Sequence, residues 1–588
     1  MKKYINILII AFSFLIVSCD NVLDRQPLDI ITDKMVWNDP KLIEANLLDI
    51  YSRMTFMYNE VGQLPTGRNE QYLINIVTDQ ATNGRDWWSN GKKYQTGLLE
   101  QTGGWEYWDY ATIRKINDFL VKINTSSMDK TQKDMFIGSA RFARAYIYFA
   151  MVKRFGGLPI ILTPQSVDLP IDELQVPRST EKQSYDYILA ECDTIINNQL
   201  LPKTLDVSQK GYPTVYVAYA LKNRAALYAA SIARWGTVSN GGLTGIPIEE
   251  QNRYWQISYE AAQAIIAGPF SLYKKNLNDA SENYRMLFID EDNTEVIWAK
   301  YYDGIRVTND WSVDNGLNGW TQDWLTDNIC PYLEFIESFE NADGTIPGKW
   351  NRTAMNNQLY TYNDLFGKLE PRFHAMIFTQ GSNWSGFNSV GCYNGIRRAD
   401  GRIIRSSATN TYNGIPLTGK NYRAFQRVLS GFGIKKGVDP TGIPTTFKGK
   451  NMKIQFRLGE ILLNFSEAAY YLNKTDSALW AVNQIRARVN LPAITDISEE
   501  KIRHERKIEL AFEALRHWDL KRWRTAVAEI SKSWTGVNYV LDYTTGKFLV
   551  EFINNYKVTS FKDKHYYFPI TPTRIANNPK LAPENPGY

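Results

Sequence analysis

The chain has 588 residues, with 67 Lys and Arg against 62 Asp and Glu. That length exceeds the roughly 250–300 residues at which one core stops growing, so it requires several packed units or a repeat scaffold carrying insertions. A composition 44% hydrophobic and 22% charged excludes disorder as the main state, and a net charge of only +5 leaves no electrostatic footprint for nucleic acid. Aromatic residues are abundant, at 35 Tyr, 26 Phe and 17 Trp, which suits a thick helical core or a surface that stacks on ligands.

Lys2 and Lys3 precede an apolar run from Ile5 to Val17. The run is shorter than the roughly 20 residues that span a bilayer, so it reads as a signal peptide. Its end, Leu15-Ile16-Val17-Ser18-Cys19, resembles a bacterial lipobox. Residues 1–18 are therefore expected to be removed and Cys19 to be acylated, which holds the protein to a membrane through buried methylenes. Residues 19–39 form the tether, where Asp20 and Asp24 resemble a surface-export signal. Cys192, Cys330 and Cys392 show no Cys-x-x-Cys spacing and read as small buried hydrophobes.

Helical periodicity comes next. Residues 105–124 predict an early helix; 134–155 carry Phe142, Tyr146 and Phe149 on one face and stop at Gly156-Gly157. Residues 213–235 and 455–473 repeat the theme, and each helix has a partner, at 181–198, 253–267 and 475–489. Such pairs resemble degenerate tetratricopeptide repeats, which bury their faces by stacking. Residues 80–104 and 303–330 are instead rich in Gly, Asn, Asp and Trp, and 343–453 is loop-heavy. The reading is a mainly α fold with a tetratricopeptide-like helical-hairpin scaffold and a large, irregular, loop-rich ligand-binding subdomain. Residues 40–302 form the N-terminal scaffold with a loop insertion at 80–104, 303–453 the irregular region, and 454–588 the C-terminal helical scaffold.

Catalytic motifs are not in evidence. There is no Gly-x-Ser-x-Gly elbow, phosphate loop or His-Glu-x-x-His pair, so no catalytic residue, metal or cofactor is assigned. Asp290-Glu-Asp292-Asn-Thr294 loosely resembles a calcium loop, but Glu295 stands where the turn needs Gly, so a solvated acidic loop is expected. Arg506, Glu509, Glu513, Arg516, Asp519 and Arg522 recur at spacings of three or four, which predicts a structural charge ladder along one helix.

Several of these stretches resemble the SusD/RagB family of nutrient-binding outer-membrane lipoproteins from Bacteroidetes. The resemblance is carried by Cys19-Asp-Asn-Val-Leu-Asp24-Arg-Gln-Pro27, Trp108-Asp-Tyr110, Arg141-Phe-Ala-Arg144 and Phe155-Gly-Gly-Leu-Pro159. Further along it rests on Glu370-Pro371-Arg372, where the family has Asp-Pro-Arg, and on Glu505-Arg506-Lys-Ile-Glu509 with Arg516-His-Trp-Asp519. It implies four tetratricopeptide-like units and no catalysis. It further implies capture of oligosaccharides or polysaccharide at the outer membrane and delivery to a TonB-dependent SusC-like transporter, with the protein acting as its lid. Peptide uptake within the same family, and a surface glycosidase, are the alternatives.

Sugars present flat C–H faces and hydroxyls, so a glycan site needs aromatic platforms beside amide and charged groups. Aromatics in Gly/Asn/Asp-rich loops are the better candidates for exposure. That filter selects Trp87, Trp88, Trp311 and Trp320 foremost, with Asn83, Arg85, Asp86, Tyr94, Asp310 and Trp324, and Trp384 as a third location.

Overall fold

A computed structural model describes residues 33–54, 73–83, 95–98, 107–321, 329–384, 389–405, 410–421, 430–441 and 448–588. Cys19, Arg85, Asp86, Trp87, Trp88, Tyr94 and Trp324 lie outside the described residues.

The first half supplies helices α1 (Pro40–Arg53), α2 (Tyr110–Lys122), α3 (Lys130–Phe155), α4 (Glu181–Asn197), α5 (Val215–Trp235) and α6 (Gln251–Ile266). Local chemistry starts them: Asp39, Asp109 and Asp129 each accept a backbone N–H of the following helix, and Thr180 with Gln183 forms a capping box on α4. α3 carries no single apolar stripe. It is buried on every side from Ala140 to Phe155 except at Arg141, because helices and the C-terminal tail surround it.

Helix α7 (Ala280–Met286) and strand β2 (Val296–Lys300) end this half. Strand β7 (Lys453–Arg457) pairs antiparallel with β2, with Lys453 opposite Lys300. The chain thus leaves the scaffold and returns to it at one place. Helices α10 (Leu458–Tyr471) and α11 (Thr475–Arg488) follow directly and continue the stack, α10 lying on α6. Tyr259 stacks on Phe465 at 4.6 Å and Trp255 on Tyr471 at 4.7 Å. The four hairpins α1/α2, α3/α4, α5/α6 and α10/α11 form one continuous pile. This is the helical-hairpin scaffold expected from the sequence. Buried polar groups lock its halves: Arg224 of α5 donates to both Glu460 oxygens, at 2.7 and 2.5 Å.

Residues 303–453 carry only short elements, among them α8 (Trp311–Asn315), β3 (Ile329–Pro331), α9 (Pro371–Met376), β4 (Ile377–Thr379), β5 (Tyr393–Arg397) and β6 (Phe432–Ile434). β3 pairs with β1 (Ala81–Asn83), and β6 pairs with β4.

Two sequence expectations need correction beyond α11. The charge ladder is not one helix but two, α12 (Glu499–Glu509) and α13 (Arg516–Arg522), separated where Phe512 and Ala514 both take φ +62°. The C-terminal region is also not wholly helical. Strands β8 (Ser533–Asp542) and β9 (Phe548–Val558) make a hairpin turning at Gly546, φ +69°. It forms the centre of a five-stranded sheet with β5 and the short strands Leu359–Tyr360 and Ile403–Ile404. The alternating aromatic and β-branched residues of β8 favour that pleated pairing over a helix.

Candidate ligand-binding site

Strand register brings the Trp-rich loop anchors together. Asn83, the last residue of β1, lies opposite Ile329, the first of β3. The segments beginning at residue 84 and ending at residue 328 therefore join the described structure side by side. Asn421 ties in two more: its amide donates to the Asn318 carbonyl at 2.8 Å and its side-chain oxygen accepts from Gly391 N at 2.9 Å. In the inserted region Trp320 meets Trp384 edge to face at 5.1 Å, and Trp384 meets Phe378 at 4.9 Å. Two cations flank this aromatic group, with Arg285 of α7 5.7 Å and Lys435 5.8 Å from the Trp384 ring centre. The Trp384 indole N–H has no acceptor among the described residues.

The expectation of exposure does not hold for the described rings. Trp311, Trp320 and Trp384 are 3%, 8% and 6% exposed, and Asn83 and Asp310 are buried as well. The short elements of the inserted region pack on one another and on the scaffold, so its tryptophans find neighbours despite their loop-like sequence. Trp311 is a packing anchor: its indole donates to the Lys436 carbonyl at 2.9 Å, and the Lys453 ammonium sits 3.8 Å over its ring. Trp320 and Trp384 are brought together; Trp311 reaches the inserted region's other side, against β7.

Arg285 and Lys435 escaped the sequence reading. One lies on a short helix and the other follows a strand, and no local spacing links them. Lys435 donates to the His374 carbonyl at 3.0 Å; burial, reinforced by nearby Arg285, pulls its pKa down to about 8. Glu282, the carboxylate of this cluster, is held by Arg285 at 2.7 Å. The arrangement gathers ring edges, an indole donor without an acceptor among the described residues and two cations in one buried place at the foot of the inserted region.

Elsewhere the acidic loop at 290–294 is filled by a side chain: Lys275 donates to Asp290 and Asp292, both at 2.8 Å. Cys192 and Cys330 are buried, and Cys392 is half-buried. Among the described residues no helix is long and apolar enough to cross a membrane.

A pile of helical hairpins bearing an inserted aromatic lobe defines a tetratricopeptide-like repeat protein with a non-repeat insertion. The chain belongs to the SusD family, whose sequence model matches residues 294–588. Residues 28–227 match a second model, described as starch-binding and associating with the outer membrane. A SusD-like protein of Bacteroides ovatus is 22% identical over 538 residues, covering 88% of this chain and 82% of that protein. Among solved structures, a SusD-like protein from Bacteroides fragilis superposes with a TM-score of 0.73 at 26% identity, covering 96% of this chain and all (100%) of that one. A SusD-like carbohydrate-binding protein, also from Bacteroides fragilis, gives a TM-score of 0.69 at 20% identity over 93% of this chain and 100% of its own.

Proposed function

We propose that this protein captures oligosaccharides or polysaccharide at the cell surface without transforming them, anchored at the outer membrane by lipid on Cys19. It hands its ligand to a SusC-like TonB-dependent transporter, over which it closes as a lid. The observation that carries the binding reading is the gathering of the Trp320–Trp384 pair, Arg285 and Lys435 in the inserted region, next in sequence to the Trp-rich segment that follows residue 321. Membership of the SusD family and likeness to a carbohydrate-binding relative support the choice of glycan. Trp87, Trp88 and Trp324, with Asn83, Arg85, Asp86 and Tyr94, supply further contacts from those segments.

The test is calorimetry against a glycan panel and a peptide library, with product analysis in the same samples. Binding of a glycan class without cleavage is expected. Once the ligand is known, Trp87→Ala and Trp88→Ala should each weaken it by on the order of 1–3 kcal/mol, the scale of ring stacking on bases. Melting curves run alongside separate lost contacts from lost folding. Binding of peptides alone, or cleavage of the glycan, overturns the reading.

A further inference from the structure

Where α5 ends against the C-terminal tail, the scaffold carries a cleft of about 550 Å³. That volume falls within the roughly 300–1,000 Å³ of small-molecule sites. Its lining residues fall within 235–244, 524–528, 563–567 and 586, and none belongs to the inserted region 303–453.

The walls are tied to one another by the protein itself. Ser239 N donates to the Thr244 carbonyl at 2.8 Å, and Asn240 holds this loop to the tail by donating to the Glu584 carbonyl at 2.9 Å. Arg524 donates to the Tyr567 hydroxyl at 2.7 Å and lies 4.7 Å from the centre of the Tyr566 ring. A cleft held in shape in this way loses little freedom when it binds.

Its chemistry is aromatic and of mixed polarity. Trp235 and Tyr566 line it half-buried. Trp235 is braced by Tyr471, edge on at 5.5 Å, and by Arg503, 4.9 Å from its ring centre. The Tyr566 hydroxyl accepts from Val527 N at 3.4 Å and has no acceptor for its own proton among the described residues. Three charged residues complete the lining. Arg524 is engaged as above, Lys564 sits 4.7 Å over the Tyr588 ring, and Asp563 is exposed with no ion-pair partner among the described residues. An anion here would meet Asp563, and a cation would meet Arg524 and Lys564. A neutral, hydroxyl-rich ligand uses both signs, since each hydroxyl donates and accepts, and its C–H faces suit the indole and phenol rings.

We infer that this cleft binds a neutral oligosaccharide, with Trp235 and Tyr566 as its aromatic walls and Asp563, Arg524 and the Tyr566 hydroxyl as hydrogen-bonding partners. The choice of a saccharide rests on the glycan reading above; the place does not. A polysaccharide long enough to reach both sites is held more firmly by two than by one.

Crystals of the mature chain soaked with maltohexaose, laminarihexaose or xylohexaose, and with hexagalacturonate as the acidic contrast, give the direct test. Density for a neutral hexasaccharide against Trp235 is expected. In solution, Trp87→Ala/Trp88→Ala removes platforms proposed for the inserted region, so calorimetry on that double variant reads what the cleft retains. It should still bind the same hexasaccharide. Adding Asp563→Ala, at an exposed position, should weaken that binding roughly tenfold, the equivalent of about 1.4 kcal/mol. Adding Trp235→Ala should abolish it in protein that melts cooperatively. An empty cleft, density from hexagalacturonate alone, binding at crystal concentration only, or affinity indifferent to Asp563→Ala overturns the inference. Loss of all binding in the double variant overturns it too, while saccharide binding by the wild type leaves the proposed function standing. A wild type that binds no saccharide overturns both.

Discussion

Glu509 is fully buried and contacts three arginines, Arg372 at 3.2 Å, Arg457 at 2.8 Å and Arg488. Those arginines reach in turn to Glu370, Glu505, Glu513 and Glu295, so a connected ionic network runs through the interior. Removing one member of such a network leaves uncompensated buried charge. Glu509→Gln should therefore cost on the order of 3–5 kcal/mol in denaturant titrations while ligand affinity per folded molecule stays unchanged. If stability holds and binding vanishes, the network is a ligand site and not an architectural one. The same network sets the acid response. Burial raises the Glu340 carboxyl, but the His504 ring 3.4 Å away and hydrogen bonds from Arg486 outweigh it and bring its pKa from 4.5 to about 2. A depressed carboxylate contributes stability that is whole above its unfolded pKa and is lost as the pH falls through the folded one. Melting temperature should thus decline between pH 4.5 and 2, and Glu340→Gln should flatten that decline. An unchanged slope in the variant would remove Glu340 from the account.

The stop of α3 shows why a short motif is fixed at the level of an element. Gly156 takes φ +72°, and a Cβ on it would stand 2.5 Å from the Leu243 carbonyl oxygen. At Gly157 a Cβ would stand 1.9 Å from the Ser179 oxygen. The backbone of this turn is pressed against two others, and Arg178 bridges them by donating to the Gly157 and Phe155 carbonyls at 2.9 and 2.8 Å. Gly157→Ala should destabilise the protein by about 1–3 kcal/mol through forced displacement of the 179–180 backbone. Gly546→Ala in the β8–β9 turn has open space and only a left-handed φ to strain, so about 1 kcal/mol is expected there. Equal costs measured by chemical denaturation would contradict the steric explanation. The sequence showed the glycine stop plainly. It did not show that α12 and α13 are separate helices, because the intervening residues Leu510-Ala-Phe-Glu-Ala-Leu515 are all helix-compatible, and only their packing imposes the left-handed turns at Phe512 and Ala514.

For the molecule as a whole, the tail matters as much as the stack. Phe568 N donates to the Arg154 carbonyl at 2.7 Å, and the Asn585 amide donates to the Phe155 and Phe568 carbonyls at 3.0 and 2.7 Å. The chain's last residues thereby close over the end of α3, nearly 430 positions upstream by sequence separation. The proposed attachment to the membrane lies at the other end, by acylation of Cys19 after the lipobox-like run. Cys19→Ala should move the protein out of the outer-membrane fraction while its melting curve stays that of the wild type, and retention in that fraction would refute the anchor.

Periodicity and punctuation in the sequence determined the helical pairs, their stop at Gly156-Gly157 and the change of character between residues 303 and 453, because these are local consequences of side-chain spacing and backbone freedom. The family motifs were equally legible, since Arg144, Glu370, Arg372, Glu509 and Arg522 stand at recognisable intervals. Their partners were not: Arg224 finds Glu460, Arg372 finds Glu505, and Arg516 finds Asp79 across 236, 133 and 437 positions. Tertiary structure alone decided which loop tryptophans are core, because burial depends on what the fold lays against a ring and not on the polarity of its neighbours in sequence. It also decided that Trp320, Trp384, Arg285 and Lys435 share one place. Pairing of β2 with β7 brings the two ends of the inserted region together and pairing of β1 with β3 ties it to residues 81–83, and no spacing along the chain encodes that closure.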